Sequence, residues 1–106
     1  MSRHYANLTT IHSKENNFNY EDALKAEEIY DGLWNTQDFY LEDDGIYITL
    51  HGESSLCGGE REDEAHIRFT KAFREHFPDC GVETTWTYLE DLPCATYTTE
   101  PGEKVT

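Results

Sequence analysis

The amino-acid sequence predicts an α+β fold, in which an antiparallel sheet packs against two helices that lie on one of its faces. Segments with apolar residues at every second position alternate with two segments whose apolar residues recur every three or four positions. The chain has 106 residues, a length that suits one domain and suffices for a hydrophobic core without disulfide staples.

The first strand and the first helix are predicted from residues 5–12 and from the segment after Asn19. Residues 5–12 are rich in β-forming side chains. Asn19 fits the N-cap position, and two acids follow it in the first turn, where carboxylates favour the helix dipole. The helix is expected to end within residues 32–35. Its apolar stripe consists of Ala23, Ala26, Ile29, Tyr30 and Leu33.

A β-hairpin is predicted around the Asp44-Gly45 pair, because both central positions of a type I′ turn need a positive φ. This turn sets the register of the two strands and places the apolar side chains on one face. The expected apolar-face pairs are Phe39 with Leu50, Leu41 with Ile48, and Asp43 with Ile46. The opposite face is expected to pair Asp38 with His51, Tyr40 with Thr49, and Glu42 with Tyr47.

The second half of the chain predicts one helix and two strands. Residues 52–59, which contain three glycines, are expected to break the preceding strand. Residues 60–77 have a helical apolar stripe, and Pro78 ends the helix. Residues 82–89 and 94–99 alternate in the manner of strands. The resulting order is β-α-β-β-α-β with one further C-terminal strand.

This order of two split βαβ units resembles the ferredoxin-like fold. The resemblance implies an antiparallel sheet with both helices on one face. It covers most of the chain and rests on the order of the elements, so it carries no implication for function.

Residues 1–106 are expected to form a single domain. Its ordered part is expected to span about residues 3–99, and residues 100–106 are expected to form a flexible tail. The net charge of −14 is also found in disordered chains. Seven Tyr, five Phe and two Trp are, however, spread through the periodic segments, which is typical of a chain that folds.

The cysteines and the apolar runs favour a cytoplasmic protein. The chain has an odd number of cysteines, Cys57, Cys80 and Cys94, and no two of them form a CxxC pair. This pattern predicts reduced thiols. No run approaches the roughly 18 apolar residues of a membrane span. The first residues contain no apolar stretch typical of a secretory signal.

Acidic residues are concentrated in one part of the sequence. Residues 13–64 contain 15 acids and 3 bases, a net charge of −12, whereas the rest of the chain has a net charge of −2. Such a surface repels phosphate backbones and steers basic proteins. We therefore expect no direct nucleic-acid or membrane binding and a basic protein partner.

In its small size, its acidity, its aromatic content and its lack of a catalytic motif, the chain resembles the small acidic anti-defence proteins of phages and mobile elements. The resemblance is to the class, without a matching motif. It implies a non-enzymatic inhibitor that mimics nucleic-acid charge and occupies a nucleic-acid-binding protein of the host. The alternative is an acidic surface that serves only solubility or adaptation to salt. The candidate partner-binding residues are Glu21, Glu27, Glu28, Asp31, Tyr40, Glu42, Asp43, Asp44, Tyr47, Glu60, Glu62 and Asp63.

A second function class is a small enzyme or ligand-binding domain centred on His51 and the glycine loop at Cys57. His51 is expected opposite Asp38, as in a carboxylate–imidazole pair, and Cys57 would supply a nucleophile. A zinc set from His51, Cys57, Cys80 and Cys94 lacks the usual ligand spacing. We therefore expect no metal and no cofactor.

A third class is a self-associating accessory domain. Tyr40 and Tyr47 are expected on the sheet face that the helices leave open, where tyrosines anchor interfaces. Their neighbours Asp38 and Glu42 disfavour RNA stacking. A homodimer through this face is the corresponding prediction, unless the C-terminal segment covers the face.

Overall fold

Five strands and two helices make up most of residues 3–13, 17–56, 59–89 and 94–105, which the computed structural model describes. A 3₁₀ turn at Asp43–Gly45 joins the second and third strands. The elements are β1 (Arg3–His12), α1 (Tyr20–Leu33), β2 (Asp38–Glu42), β3 (Tyr47–Leu56), α2 (Glu62–His76), β4 (Gly81–Tyr88) and β5 (Cys94–Thr99).

The strands form one antiparallel sheet in the order β2-β3-β1-β4-β5. Helix α1 packs on β2 and β3, helix α2 packs on β4 and β5, and the two helices contact each other. Both helices therefore cover the same face of the sheet, and the opposite face is termed the open face. The predicted α+β class, with two helices and an antiparallel sheet, is confirmed.

Helix α1 begins where the sequence predicts. The Asn19 side chain accepts a hydrogen bond from the Asp22 amide at 2.9 Å, and the Asp22 carboxylate accepts one from the Asn19 amide at 2.9 Å. This capping box satisfies two backbone donors that would otherwise lack a partner. The helix buries Ala23, Ala26 and Tyr30 against the sheet.

The predicted hairpin register is confirmed from Asp38–His51 to Glu42–Tyr47. Asp44 and Gly45 have φ values of 54° and 93°, as the turn prediction requires. Asp43 and Ile46 face each other as predicted, since the Ile46 amide donates to the Asp43 carbonyl at 3.1 Å. They lie outside the strands, however, because Asp43 also adopts a positive φ, of 51°.

The predicted strand break at residues 52–59 is wrong for residues 52–56, since β3 continues to Leu56. Gly52 pairs with Asn7 in the middle of the sheet. A Cβ atom at Gly52 would clash with the carbonyl oxygen of Asn35, which lies just after α1. Gly52 is therefore a point of close backbone approach. Residues 57 and 58 lie outside the described residues.

Aromatic residues from distant parts of the sequence meet in one cluster beneath the helices. Trp86 is 1% exposed, and its ring lies 6.1 Å from Tyr5, 5.2 Å from Trp34 and 5.3 Å from Phe69, measured between centroids. Edge-to-face and tilted contacts of this kind are favourable beyond the burial of apolar area. The spread of aromatic residues along the chain thus reflects a shared core.

One buried polar group links β1 to α1. The hydroxyls of Thr9 and Tyr30 both donate to the side-chain oxygen of Asn7, each at 2.6 Å. The Asn7 amide donates to the Thr85 carbonyl at 3.4 Å. Burial raises the pKa of Tyr30 above its ordinary value, so this hydroxyl stays protonated and keeps donating.

A second buried polar group links α2 to β4 and β5. The His66 ring nitrogens form 2.7 Å hydrogen bonds with the hydroxyls of Thr84 and Thr99. The Trp86 indole N–H donates to the Thr84 hydroxyl at 2.9 Å. Each of these polar groups has a hydrogen-bond partner, and these hydrogen bonds offset the free-energy cost of removing the groups from water.

The segment predicted as a flexible tail contacts the end of α2. The Arg74 guanidinium donates to the carbonyls of Cys80 at 2.9 Å, of Glu100 at 3.0 Å and of Glu103. The Gly102 amide donates to the Asp79 carbonyl at 3.0 Å. The mobility of this segment in solution stays a prediction. Within the described part of the chain, neither helix is long and apolar enough to cross a membrane.

Candidate functional site

The acidic side chains gather on one half of the molecule. Residues 17–56, which form α1, β2 and β3, contain ten acids and one base, Lys25. We define the acidic edge as the nine of these acids that lie on α1, on β2 and in the turn after β2. They are Glu21, Asp22, Glu27, Glu28, Asp31, Asp38, Glu42, Asp43 and Asp44.

Backbone contacts hold the turn acids beside the start of α1. The Phe18 amide donates to the Gly45 carbonyl at 2.6 Å. The Asn17 side chain donates to the Asp44 carbonyl at 2.9 Å. A Cβ atom at Gly45 would clash with the Phe18 carbonyl oxygen, so glycine permits this close approach. The carboxylates of the turn and of α1 thus belong to one surface.

Four acids of the acidic edge have local partners. The Glu42 carboxylate accepts from the Thr49 hydroxyl at 2.7 Å, and Asp31 accepts from the Thr36 amide at 3.2 Å. Glu28 lies 3.6 Å from Lys25, and Asp22 caps α1. No hydrogen bond or ion pair within the described residues engages the carboxylates of the other five acids, which are Glu21, Glu27, Asp38, Asp43 and Asp44.

The candidate acids at the start of α2 lie at the other end of the sheet. Helix α2 begins near the Leu56 end of β3, and the acidic turn is at the Tyr47 end, about 30 Å away for a strand of this length. The α2 acids therefore lie far from the acids of the turn, whereas α1 runs from the turn towards the α2 end of the sheet, where Trp34 donates to the Gly52 carbonyl.

Each of the three candidate acids at the start of α2 has a partner in the fold. Glu60 makes two 2.9 Å hydrogen bonds with the Arg68 guanidinium. The Tyr5 hydroxyl donates to Glu62 at 3.0 Å. Arg61 donates to Asp63 at 2.9 and 3.2 Å, and this hydrogen bonding lowers the pKa of the Asp63 carboxyl. Because these acids form hydrogen bonds at the start of α2, they are less available to a partner than the acids of the acidic edge that have no local partner.

The two candidate tyrosines lie on the open face, as predicted. Tyr40 is 43% exposed. The Tyr47 ring is half-buried and lies 5.0 Å from the His12 ring, measured between centroids. Leu8, on the same face, is 40% exposed. Of the C-terminal residues, Glu100 and Pro101 line a groove on this face together with His12 and Tyr47, so the C-terminal segment reaches the open face beside Tyr47.

The alternative site at His51 is only partly described. Asp38 lies opposite His51 in the sheet, as predicted, but no hydrogen bond or ion pair among the described residues joins their side chains. Cys57 lies outside the described residues. Two grooves lie elsewhere on the described part of the protein. One has a volume of about 470 Å³ and is lined partly by Asp22 and His76, and the other has a volume of about 250 Å³ and lies beside Tyr47. His51 lines neither groove.

Two of the zinc ligands that we considered, Cys80 and Cys94, lie far apart. Cys80 adjoins the Gly81 end of β4, and Cys94 pairs with Thr87 near its other end, about 20 Å away along the strand. Burial raises the pKa of the Cys80 thiol to about 11, which keeps it protonated near neutral pH. No group of three or more metal-ligating side chains was found among the described residues.

Comparison with known proteins gives no family assignment, because no protein-family model, curated protein or solved structure matches the chain. Function is therefore inferred from charge and geometry.

The sequence candidates omit Asp22 and Asp38, which the structure adds to the acidic edge. Both were visible in the sequence, Asp22 as a first-turn acid and Asp38 through the hairpin register. Asp22 lies on α1 itself, and Asp38 belongs to the acidic edge because β2 packs on α1.

Proposed function

We propose that the protein is a non-enzymatic binding protein whose acidic edge engages a basic, nucleic-acid-binding protein. The observation that supports this function is the presence of nine acids and a single base on α1, β2 and their turn. A rigid surface of one charge sign accelerates encounter with a cationic partner and disfavours anionic ones. Capping, hairpin register and core packing hold these carboxylates on ordered elements.

The mode of binding that we propose is mimicry of nucleic-acid charge. Helix α1 has 14 residues and is thus about 21 Å long. It carries five acids, or about one per 4 Å of axis, which is close to the 3.4 Å per charge along one DNA strand. The proposed target is a host defence factor in the cytoplasm, which agrees with the resemblance to phage anti-defence proteins.

The sheet order supports a finer proposal for the fold. We infer that β2-β3-β1-β4 is a ferredoxin-like sheet to which β5 has been added at one edge. The helices and their shared face then correspond to the two split βαβ units. The addition of β5 changes one edge of the sheet and leaves the acidic edge, on the opposite side, unaltered.

The decisive experiment compares two charge-neutralised variants as baits for host lysate. Glu21, Glu27 and Glu28 are replaced by Gln in the first variant, and Glu75, Glu83 and Glu100 in the control. Both variants have the same net charge. The wild type and the control should retain the same basic, nucleic-acid-binding protein, whereas the first variant should retain it at least about tenfold less.

Salt and competing DNA complete this test. Retention by the wild type should fall steeply as salt is raised from about 0.05 to 0.5 M, because the Debye length shortens. Double-stranded DNA should displace the bait if the two occupy the same site on the partner. Equal losses in both variants, or retention that salt and DNA leave unchanged, would contradict binding through the acidic edge.

A further inference from the structure

Strand β5 has a free edge. It lies at the end of the sheet and pairs with β4 alone. No backbone hydrogen bond from the described residues reaches its outer side. A strand in this position presents unpaired amide and carbonyl groups, which form a template for another strand.

The two edge strands of the sheet differ in how well their sequences prevent pairing with another strand. Strand β5 has the sequence CATYTT, which contains no charge and no proline, and three threonines and a tyrosine favour strand formation. Strand β2, at the opposite edge, carries Asp38 and Glu42 and ends in two further acids. Charged edge strands resist pairing, so β5 is the edge that is open to association.

The charge distribution favours a second copy of the chain as the occupant of this edge. Residues 17–56 have a net charge of −9, whereas the described residues from 59 onward, which include α2, β4 and β5, contain nine acids and five bases. Joining two copies through β5 brings the less charged halves together. The two β2 edges of a ten-stranded sheet then lie about 43 Å apart, several Debye lengths at physiological salt.

We propose that the protein forms a homodimer by antiparallel pairing of β5 with β5 of a second copy. A two-fold axis perpendicular to the sheet makes the contact self-complementary and places all four helices on one side of a continuous sheet. Exposed Thr96 and Thr98 line the junction on the open face. The dimer presents two acidic edges at its far ends. This contact differs from pairing through the face that carries Tyr40 and Tyr47.

Sedimentation equilibrium of the full chain tests the dimer. Measurements from about 10 µM to 1 mM, with a reductant that prevents a disulfide at exposed Cys94, should show the mass rising from 12.3 kDa to twice that value. Added salt should strengthen the association, because it screens two chains of charge −14. Binding of a basic partner responds to salt in the opposite direction, so failure of one proposal is distinguishable from failure of the other.

Two variants locate the contact. Thr98→Lys places a cation on the β5 edge opposite Glu83, which preserves the fold, and should weaken self-association at least about tenfold. Tyr40→Lys is the matched control, since it adds one cation to the other edge strand on the same face, and should change the association by less than about twofold. Amide exchange in β5 should slow as the wild-type concentration rises.

Three outcomes would overturn the dimer. The first is a mass of 12.3 kDa over the whole concentration range. The second is an association that Tyr40→Lys weakens as much as Thr98→Lys, which would assign the contact to the open face. The third is a monomer whose capture of the basic partner depends on Thr98, which would make β5 a docking strand for that partner.

Discussion

At the scale of single residues, the polar side chains inside the core show how this protein combines burial with satisfied hydrogen bonds. His66 is 6% exposed and lies between two threonine hydroxyls. Burial lowers the pKa of the His66 imidazole, and the Glu103 carboxylate partly opposes this effect. The folded protein therefore favours neutral His66.

This histidine should make the free energy of unfolding depend on pH. The unfolded chain takes up a proton at His66 near pH 6.5, while the folded state resists it, so stability falls as pH decreases below about 6.5. Urea denaturation at several pH values between about 7.5 and 5 measures the slope. His66→Gln should cost about 1–3 kcal/mol at pH 7.5 and should reduce the slope. An unchanged slope in this variant would exclude His66 as its source.

At the scale of elements, the sequence predicted most boundaries because local chemistry decides them. Asn19 and Asp22 form a capping box, and Asp44-Gly45 sets a turn, so α1 and the hairpin register follow from short segments. Gly52 was misinterpreted because glycine is compatible with both a strand break and a close approach of two backbones. Only the path of the chain after α1, at Asn35, decides between them.

The role of Gly52 predicts opposite effects for two glycine substitutions. Gly52→Ala should destabilise the fold by about 1–3 kcal/mol, because the added methyl group meets the Asn35 carbonyl. Gly32→Ala, in the last turn of α1 with no atom within 4 Å of the new Cβ, should stabilise it by about 0.5–1 kcal/mol. Urea denaturation compares the two with the wild type. A Gly52→Ala variant as stable as the wild type would refute the close-approach explanation.

At the scale of the whole molecule, the candidate site depended on topology that no short segment contains. Charge alone selected the acids of α1 and of the hairpin, and the structure places the turn of the hairpin beside the start of α1. Those at Glu60, Glu62 and Asp63 were grouped with them because they belong to the same acidic part of the sequence, and the strand directions place them far from the acids of the turn. The free edge at β5 likewise emerges only from the strand order, because the strand's own sequence does not reveal its neighbours.

The unequal charge distribution should also make the stability of the whole fold depend on salt. Nine carboxylates on one edge repel one another at low ionic strength, where the Debye length is about 30 Å at 0.01 M, and salt screens this repulsion. The melting temperature should therefore rise by roughly 4–8 °C from 0.01 to 0.5 M KCl, which for a domain of this size corresponds to about 1 kcal/mol. The variant with Gln at positions 21, 27 and 28 should show a smaller rise than the control with Gln at positions 75, 83 and 100. Scanning calorimetry of the wild type and the two variants measures these melting temperatures. A rise of equal size in both variants would show that the repulsion is spread over the whole surface and is not concentrated at the acidic edge.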